Sequence, residues 1–318
     1  MRYLDPLYGQ LSFSDKEFLL FQTRALTRLR DVSLSAVPPF TWASGMIASR
    51  FEHSVGVAFL AKKLGLKPQF KPIKDNLYLA ALLHDAGSPP FSHIAEDFQQ
   101  QITNMNHEEF IEEILAEKKL QQKIKLNNGD FKTIILLIKG QLSPWSDLIN
   151  GSIDLDNLDN SLRWGLGAGV FKNKFYEPEE IINAFVLKQN KLALDIEYKS
   201  NIQKWELARR LVYDLVYSDA NLSPGSMIAR ALELAYQADE LDKNYFFLTD
   251  SQAFYLLENR FNSASQKLAQ AARFWNFYVL AAKQQTSQQS KKFKDICLNW
   301  KKRFKLANDI AKNINPPF

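Results

Sequence analysis

A chain of 318 residues with 46% hydrophobic and 24% charged residues has the composition of a globular protein, long enough to bury about three quarters of its unfolded surface. No apolar run approaches the ~18 residues a membrane span needs, the start Met1-Arg2-Tyr3-Leu4-Asp5-Pro6 lacks a secretory apolar region, and the lone Cys297 excludes an internal disulfide framework, so the expected location is cytoplasmic. The net charge of +5 is uneven: residues 291–318 carry eight Lys or Arg against two Asp, a basic tail of +6 suited to nucleic acid or an acidic partner, or to a solvated helix face.

In chain order, Ser14 and Glu17 have capping-box spacing, and Phe18, Phe21, Ala25 and Leu29 follow on one face, which predicts a first helix over about 15–31. Val57, Leu60 and Leu64 continue a stripe from His53 and predict a second helix with His53 near its start. Asn76 to Leu83 is apolar almost all round, as a central helix buried by others should be, and His84-Asp85 stands at its end. Gly87 and Pro89-Pro90 supply the break there, and a new helix begins with His93 and Glu96 three apart on one face. Phe185 to Ile196 reads as two short alternating runs around a Gln-Asn-Lys turn, a small β-hairpin. Trp205 to Tyr217 returns to helix, Asn221-Leu222-Ser223-Pro224-Gly225 breaks it, and Met227 to Ala238 resumes it. Two or three amphipathic helices follow in 251–318, a basic C-terminal extension appended to a domain of residues 1–250.

All four histidines, His53, His84, His93 and His107, fall within one sixth of the chain. They sit in the words Arg50-Phe51-Glu52-His53-Ser54-Val55-Gly56-Val57 and Leu82-Leu83-His84-Asp85-Ala86-Gly87-Ser88-Pro89-Pro90-Phe91-Ser92-His93, and Ile153-Asp154-Leu155-Asp156-Asn157-Leu158-Asp159 comes later. Two imidazoles and two carboxylates suit a hard-to-borderline divalent ion with open positions for water and substrate. No P-loop, dinucleotide glycine pattern or paired-cysteine zinc pattern is present.

These words resemble the HD-domain metal phosphohydrolases, whose H…HD…D ligands fall on His53, His84, Asp85 and Asp156. The resemblance runs from Asp5-Pro6-Leu7-Tyr8-Gly9 to about residue 235. It implies an all-α HD-domain core, with the small β-hairpin and a C-terminal helical appendage, and one divalent ion among Mn, Fe, Mg, Zn, Ni and Co. Within the family the chain is most similar to the dNTP triphosphohydrolases. In the bacterial dGTP enzymes a His and a Glu three apart are the catalytic pair, which implies proton work for His93 and Glu96. His107 matches a histidine used near the leaving group in the mammalian SAM-and-HD enzyme.

The same resemblance gives Arg50 and Arg209 phosphate contacts, and it sets Tyr217 on the deoxyribose as a gate against a 2′-OH. The implied activity is conversion of a dNTP to deoxynucleoside and tripolyphosphate. Departures exist: Leu34 stands where the mammalian enzyme has a glutamine on the 3′-OH, Asn157 where it has a phosphate-binding lysine, and Asn160 where it has a tyrosine. Ser88 replaces a histidine. A phosphomonoesterase acting on a nucleoside monophosphate or other small phosphate ester, and a nucleic-acid-binding or regulatory module working through the tail, are the alternatives. A nucleotide substrate, a homo-oligomer and nucleic acid are the partners to be tested.

Overall fold

The chain begins with a hairpin that its pattern does not announce. In this computed structural model, which describes residues 1–34, 48–279, 295–296 and 299–314, β1 (Arg2–Asp5) pairs antiparallel with β2 (Gly9–Ser12). Asp5 Oδ1 accepts the backbone N–H of Leu7 and of Tyr8 at 2.8 and 3.2 Å, closing the turn, and Gly9 takes φ +71°. Burial does not alternate regularly along either strand, with only Asp5 buried in β1 and only Leu11 in β2, so the sequence reading missed this element.

The expected helix over 15–31 is two helices, α1 (Asp15–Phe21) and α2 (Arg24–Leu29). The capping box of Ser14 and Glu17 opens the first as expected. Thr23 ends it: its hydroxyl donates to the Leu20 carbonyl at 2.6 Å and its backbone turns extended, the competition a threonine offers against helix continuation. Ser49 and Glu52 form a second capping box that starts α3 (Arg50–Leu64), which is followed by α4 (Lys74–Leu83). Leu77 to Leu83 are all buried, so α4 is the central helix its composition predicts.

Around this pair stand α5 (His93–Thr103), α6 (His107–Leu115), α7 (Lys118–Leu126), α8 (Phe131–Ile138), α9 (Leu155–Gly167) and α10 (Pro178–Ala184). α3 packs on both α4 and α9, and α4 also packs on α8. Val55, Val57 and Leu60 of α3 and Leu79, Leu82 and Leu83 of α4 are completely buried, each contributing about 1.5–3 kcal/mol. The expected second hairpin is present as β3 (Phe185–Lys188) and β4 (Lys191–Leu194). Its turn is the dipeptide Gln189-Asn190, both at positive φ, as a two-residue hairpin turn of right-handed twist demands.

After α11 (Lys199–Val216) the helix is interrupted at Tyr217-Ser218, earlier than expected, and α12 (Asp219–Gln237) runs unbroken through Asn221–Gly225. Pro224 lies in the second turn of α12, so only one carbonyl, that of Ala220, loses its bond. α13 (Asp250–Asn259) and α14 (Ser263–Arg273) pack on α12, and the compact unit extends to Tyr278. A separate unit, residues 279–318, contains α15 (Trp300–Ile314) with Lys301, Lys302, Arg303 and Lys305 exposed. Cys297, Lys291, Lys292 and Lys294 of the basic tail lie outside the described residues. No described helix is long and apolar enough to cross a membrane.

One close approach carries much of this packing. A Cβ built on Gly56 would lie 2.0 Å from Asp159 Oδ2 and 2.5 Å from an Arg163 guanidinium nitrogen, because α9 presents a buried ion pair flush against α3 at this glycine. Gly56→Ala should therefore break a buried charge pair, at a cost of about 3–5 kcal/mol. Urea unfolding is the check, and a midpoint within error of wild type would show that the two helices separate freely.

Candidate metal centre

Three helices deliver the central residues. His53 lies in the first turn of α3, His84 caps the C-terminus of α4 with Asp85 in the turn beyond it, and Asp156 is the second residue of α9, just after its N-cap Asp154. The end of α4 at Leu83 lets His84 and Asp85, which would diverge by about 100° on a continuing helix, both face inward.

His53, His84 and Asp156 each offer a donor atom within 4.8 Å of the others. His53 Nε2 is 2.9 Å from Asp156 Oδ1, and Asp85 Oδ2 lies 3.9 Å from His53 Nε2 and 3.6 Å from His84 Nε2. The Nδ1 of His84 faces the Ala81 carbonyl at 2.8 Å, which aims Nε2 at the centre. Both His84 Nε2 and Asp85 Oδ2 are buried with no hydrogen-bond partner. An unsatisfied buried polar atom costs about 1–3 kcal/mol, and a divalent cation between these two atoms would answer both at once. The donor set therefore fits the ion that the sequence words imply.

Charge is organised around the same atoms. Burial opposes ionisation of Asp85, but Arg50, then His84 and His53, hold its carboxyl well below the usual range. Burial opposes a charge on His53 too, yet hydrogen bonds to Asp156 and Asp159 push it up to about 10. Asp154 is pushed up to about 7, by burial first and by Asp156 second, although its oxygens accept the N–H groups of Asn157 and Gly151 at 2.7 and 2.9 Å.

Arg50 stands beside the centre, but its guanidinium is already engaged. It donates to Asp85 Oδ1, and its Nε donates to Ser92 Oγ at 2.8 Å. Ser88 Oγ donates to the same Asp85 oxygen at 3.1 Å. The turn bearing His84 and Asp85 is then pinned from far away in sequence. Arg28 donates to the carbonyls of Ala86 and Ser88 at 2.9 and 2.6 Å, and Asp250 accepts the N–H of Phe91 at 2.8 Å and of Ser33 at 2.9 Å. Phe91 and Ser92 have φ of +62° and +53°, a strained stretch that these bonds and the burial of Phe91 hold in place.

On the far wall, Glu96 takes both remaining histidines. His93 Nδ1 is 3.0 Å from Glu96 Oε2, and His107 Nδ1 is hydrogen-bonded to Oε1. Burial works against the charge on both Glu96 and His107, but their pairing wins, lowering the carboxyl and raising the imidazole. Gly87 permits this arrangement, since a Cβ there would meet the His107 carbonyl at 2.2 Å. A polar cavity of about 170 Å³ is lined by the four central residues with Arg50, His93, His107, Asp154, Asn157 and Asn160, so the two imidazoles face it and Glu96 stands behind them.

A second chamber of about 300 Å³ shares Leu34, His93, Asn157 and Asn160 with the first and adds Trp164, Tyr213 and Tyr217. Tyr217 thus reaches a neighbouring chamber, with its side on solvent. Arg209 is not brought there: its guanidinium lies over the Trp205 and Tyr213 rings, at 5.6 and 5.2 Å, and faces a surface groove with Arg210. Stacking on two rings of its own helix sets this direction. The sequence reading missed Asp154, Asp159, Ser92, Arg28 and Asp250. For Asp159 a signal existed, its i+3 spacing from Asp156 and i,i+4 pairing with Arg163.

Residues 50–164 match the HD domain family, and the His/Asp cluster falls inside that stretch. An uncharacterized protein of Mycoplasma pneumoniae, the MG461 homolog, is 28% identical over 270 residues, 77% of this chain and 62% of that protein. The deoxynucleoside triphosphate triphosphohydrolase SAMHD1 homolog of Dictyostelium discoideum is 28% identical over 177 residues, 49% of this chain and 34% of its own length. A solved phosphohydrolase structure from Bacteroides thetaiotaomicron superposes with a TM-score of 0.73 over 99% of this chain and 84% of that one, at 19% identity, which shows a shared fold. The chain spans 50–62% of the length of the first three curated relatives it matches.

Metal binding predicts a direct effect on stability. Mn²⁺ at about 100 times its Kd should stabilise the fold by about 2.7 kcal/mol, seen as a rise in Tm, and His84→Ala should abolish the rise. Equal Tm shifts in the two proteins would remove His84 from the centre.

Proposed function

We propose that this chain, whose residues 50–164 match the HD domain family, hydrolyses a phosphate ester at the His/Asp centre and that its substrate is a nucleotide. The observation that carries the reading is the pair of orphaned atoms, His84 Nε2 and Asp85 Oδ2, buried beside His53 and Asp156. One divalent ion held by His53, His84, Asp85 and Asp156 would supply Lewis acidity toward a phosphoryl oxygen.

The remaining work falls to side chains. Arg50 steadies Asp85 and lines the cavity, placing a guanidinium beside any phosphoryl group that enters. His107 donates Nδ1–H to Glu96 and keeps Nε2 for a proton transfer to the leaving oxygen, with His93 sharing the same carboxylate. The chamber with Trp164, Tyr213 and Tyr217 offers aromatic surface to a nucleobase and sugar. The likeness to the Dictyostelium triphosphohydrolase supports release of tripolyphosphate from a dNTP.

A second reading has its own observation. Among the described residues Arg50 is the single Arg or Lys lining the metal cavity, which Asn157 and Asn160 also line. That sparse positive charge favours a monophosphate or another small ester over a triphosphate. Product analysis decides between tripolyphosphate and orthophosphate. Binding to nucleic acid through the basic tail is a third, separate proposal, read by salt-dependent affinity that survives metal removal.

His93→Ala and Glu96→Gln should each lower kcat by about 10²–10⁴-fold with little change in metal content, and the double variant should lose less than the product of the two. Near-wild-type kcat in both single variants would move the acid–base role to His107 alone. Arg50→Ala should retain the ion yet lose about ten- to hundredfold in kcat/KM, and wild-type kcat/KM in that variant would remove Arg50 from phosphoryl binding.

A further inference from the structure

His53 meets the centre through Nε2 alone, because its other ring nitrogen is occupied. Nδ1 lies 2.7 Å from Asp159 Oδ1, and Asp159 is completely buried. Arg163 holds this carboxylate from behind, Nε to Oδ1 and a terminal nitrogen to Oδ2, each at 2.8 Å. The same terminal nitrogen reaches Asp5 Oδ2 at 3.1 Å. Asp5 is the last residue of β1, so a line of buried charge, negative, positive, negative, joins the ligand imidazole to the N-terminal hairpin. None of Asp159, Arg163 and Asp5 lines the metal cavity.

We infer that Asp159 is the positioning residue of the metal centre, and that the hairpin, acting through Asp5 and Arg163, sets how tightly the centre holds a divalent ion. The inference rests on the reading of His53 as a ligand. An imidazole has two tautomers, and only the one protonated on Nδ1 offers a lone pair at Nε2. A carboxylate accepting from Nδ1 selects that tautomer, fixes the ring's rotation and raises its donor strength. Two buried carboxylates against one guanidinium also give the line a net negative charge, which favours positive charge at the imidazole and at the centre beyond it. Arg163 prevents Asp159 from swinging away, and Asp5 prevents Arg163 from doing so. The bareness of α3 at Gly56 is what admits the pair to this position.

The competing account is that Asp159, Arg163 and Asp5 merely fasten α9 and the hairpin to α3. The two accounts part at metal affinity, because a fastening role lowers stability and leaves the Kd of the folded protein unchanged. The experiment measures Mn²⁺ dissociation constants of the full chain by competition with a chromophoric chelator, with folding monitored by circular dichroism. Wild type, Asp159→Asn, Asp5→Asn and His84→Ala are compared.

Asp159→Asn should weaken Mn²⁺ binding about 10–100-fold while the protein stays folded. Asp5→Asn should weaken it in the same direction by a smaller factor, although that residue lies outside the cavity. Folded Asp159→Asn with a wild-type Kd overturns the inference. If Asp159→Asn does not fold, Asp5→Asn decides: weaker binding supports the inference, and a wild-type Kd overturns it. A wild-type chain that takes up no Mn²⁺ overturns the metal reading itself, an outcome distinct from normal uptake that Asp159→Asn leaves unchanged.

Discussion

The contact between α3 and α9 is the constraint on which the rest of the site depends. Asp156 and Asp159 lie one turn apart on α9, and both address the same imidazole, Asp156 at Nε2 and Asp159 at Nδ1. That is possible only where α9 comes close enough to α3 for a carboxylate and a guanidinium to lie flat against a glycine. A bulkier residue at position 56 would separate the helices and part His53 from both aspartates together. Backbone approach, ligand geometry and buried charge are here one requirement seen from three sides.

The second half of the centre is held differently. His84 and Asp85 sit in a turn whose carbonyls would otherwise point into the core unpaired, and Arg28 answers two of them. The following strained residues, Phe91 and Ser92, are held by Asp250 and by Ser92 Oγ donating to the Ser33 carbonyl at 2.8 Å. Positions 28, 33, 91 and 250 thus cooperate to place two adjacent residues. A turn fixed by the side chains of Arg28 and Asp250 and by the Ser33 carbonyl keeps its geometry better than one relying on local propensity, which is what a pre-organised site needs.

Much of this was legible in the sequence, and the reasons it was differ by element. The buried helix α4 and the hairpin β3–β4 carry strong patterns, apolar all round in one and alternating around a turn in the other, and both occur. The N-terminal hairpin carries too little pattern to see, and Pro224-Gly225 signalled a break that the first turns of α12 absorb. At the site, the structure brings together His53, His84 and Asp156, three of the four ligands that the resemblance to the HD-domain phosphohydrolases implies. Arg209 shows the limit: its place on α11 is as read, but the aromatic rings one turn either side of it decide where the guanidinium goes. Arg28 and Asp250 were invisible because their partners are backbone groups far away in sequence, and no spacing rule records a backbone partner.

Asp85 divides its two oxygens, one to Arg50 and Ser88, the other to the vicinity of His53 and His84. An anion that draws on Arg50 and a cation that draws on Asp85 therefore act on a shared pair, and their binding free energies are coupled. By reciprocity, whatever factor the ion contributes to substrate affinity, the substrate returns to ion affinity. The centre's hold on its ion is then a property of the occupied site, different in the resting protein and in the complex, and a dissociation constant measured without substrate describes only one corner of that cycle.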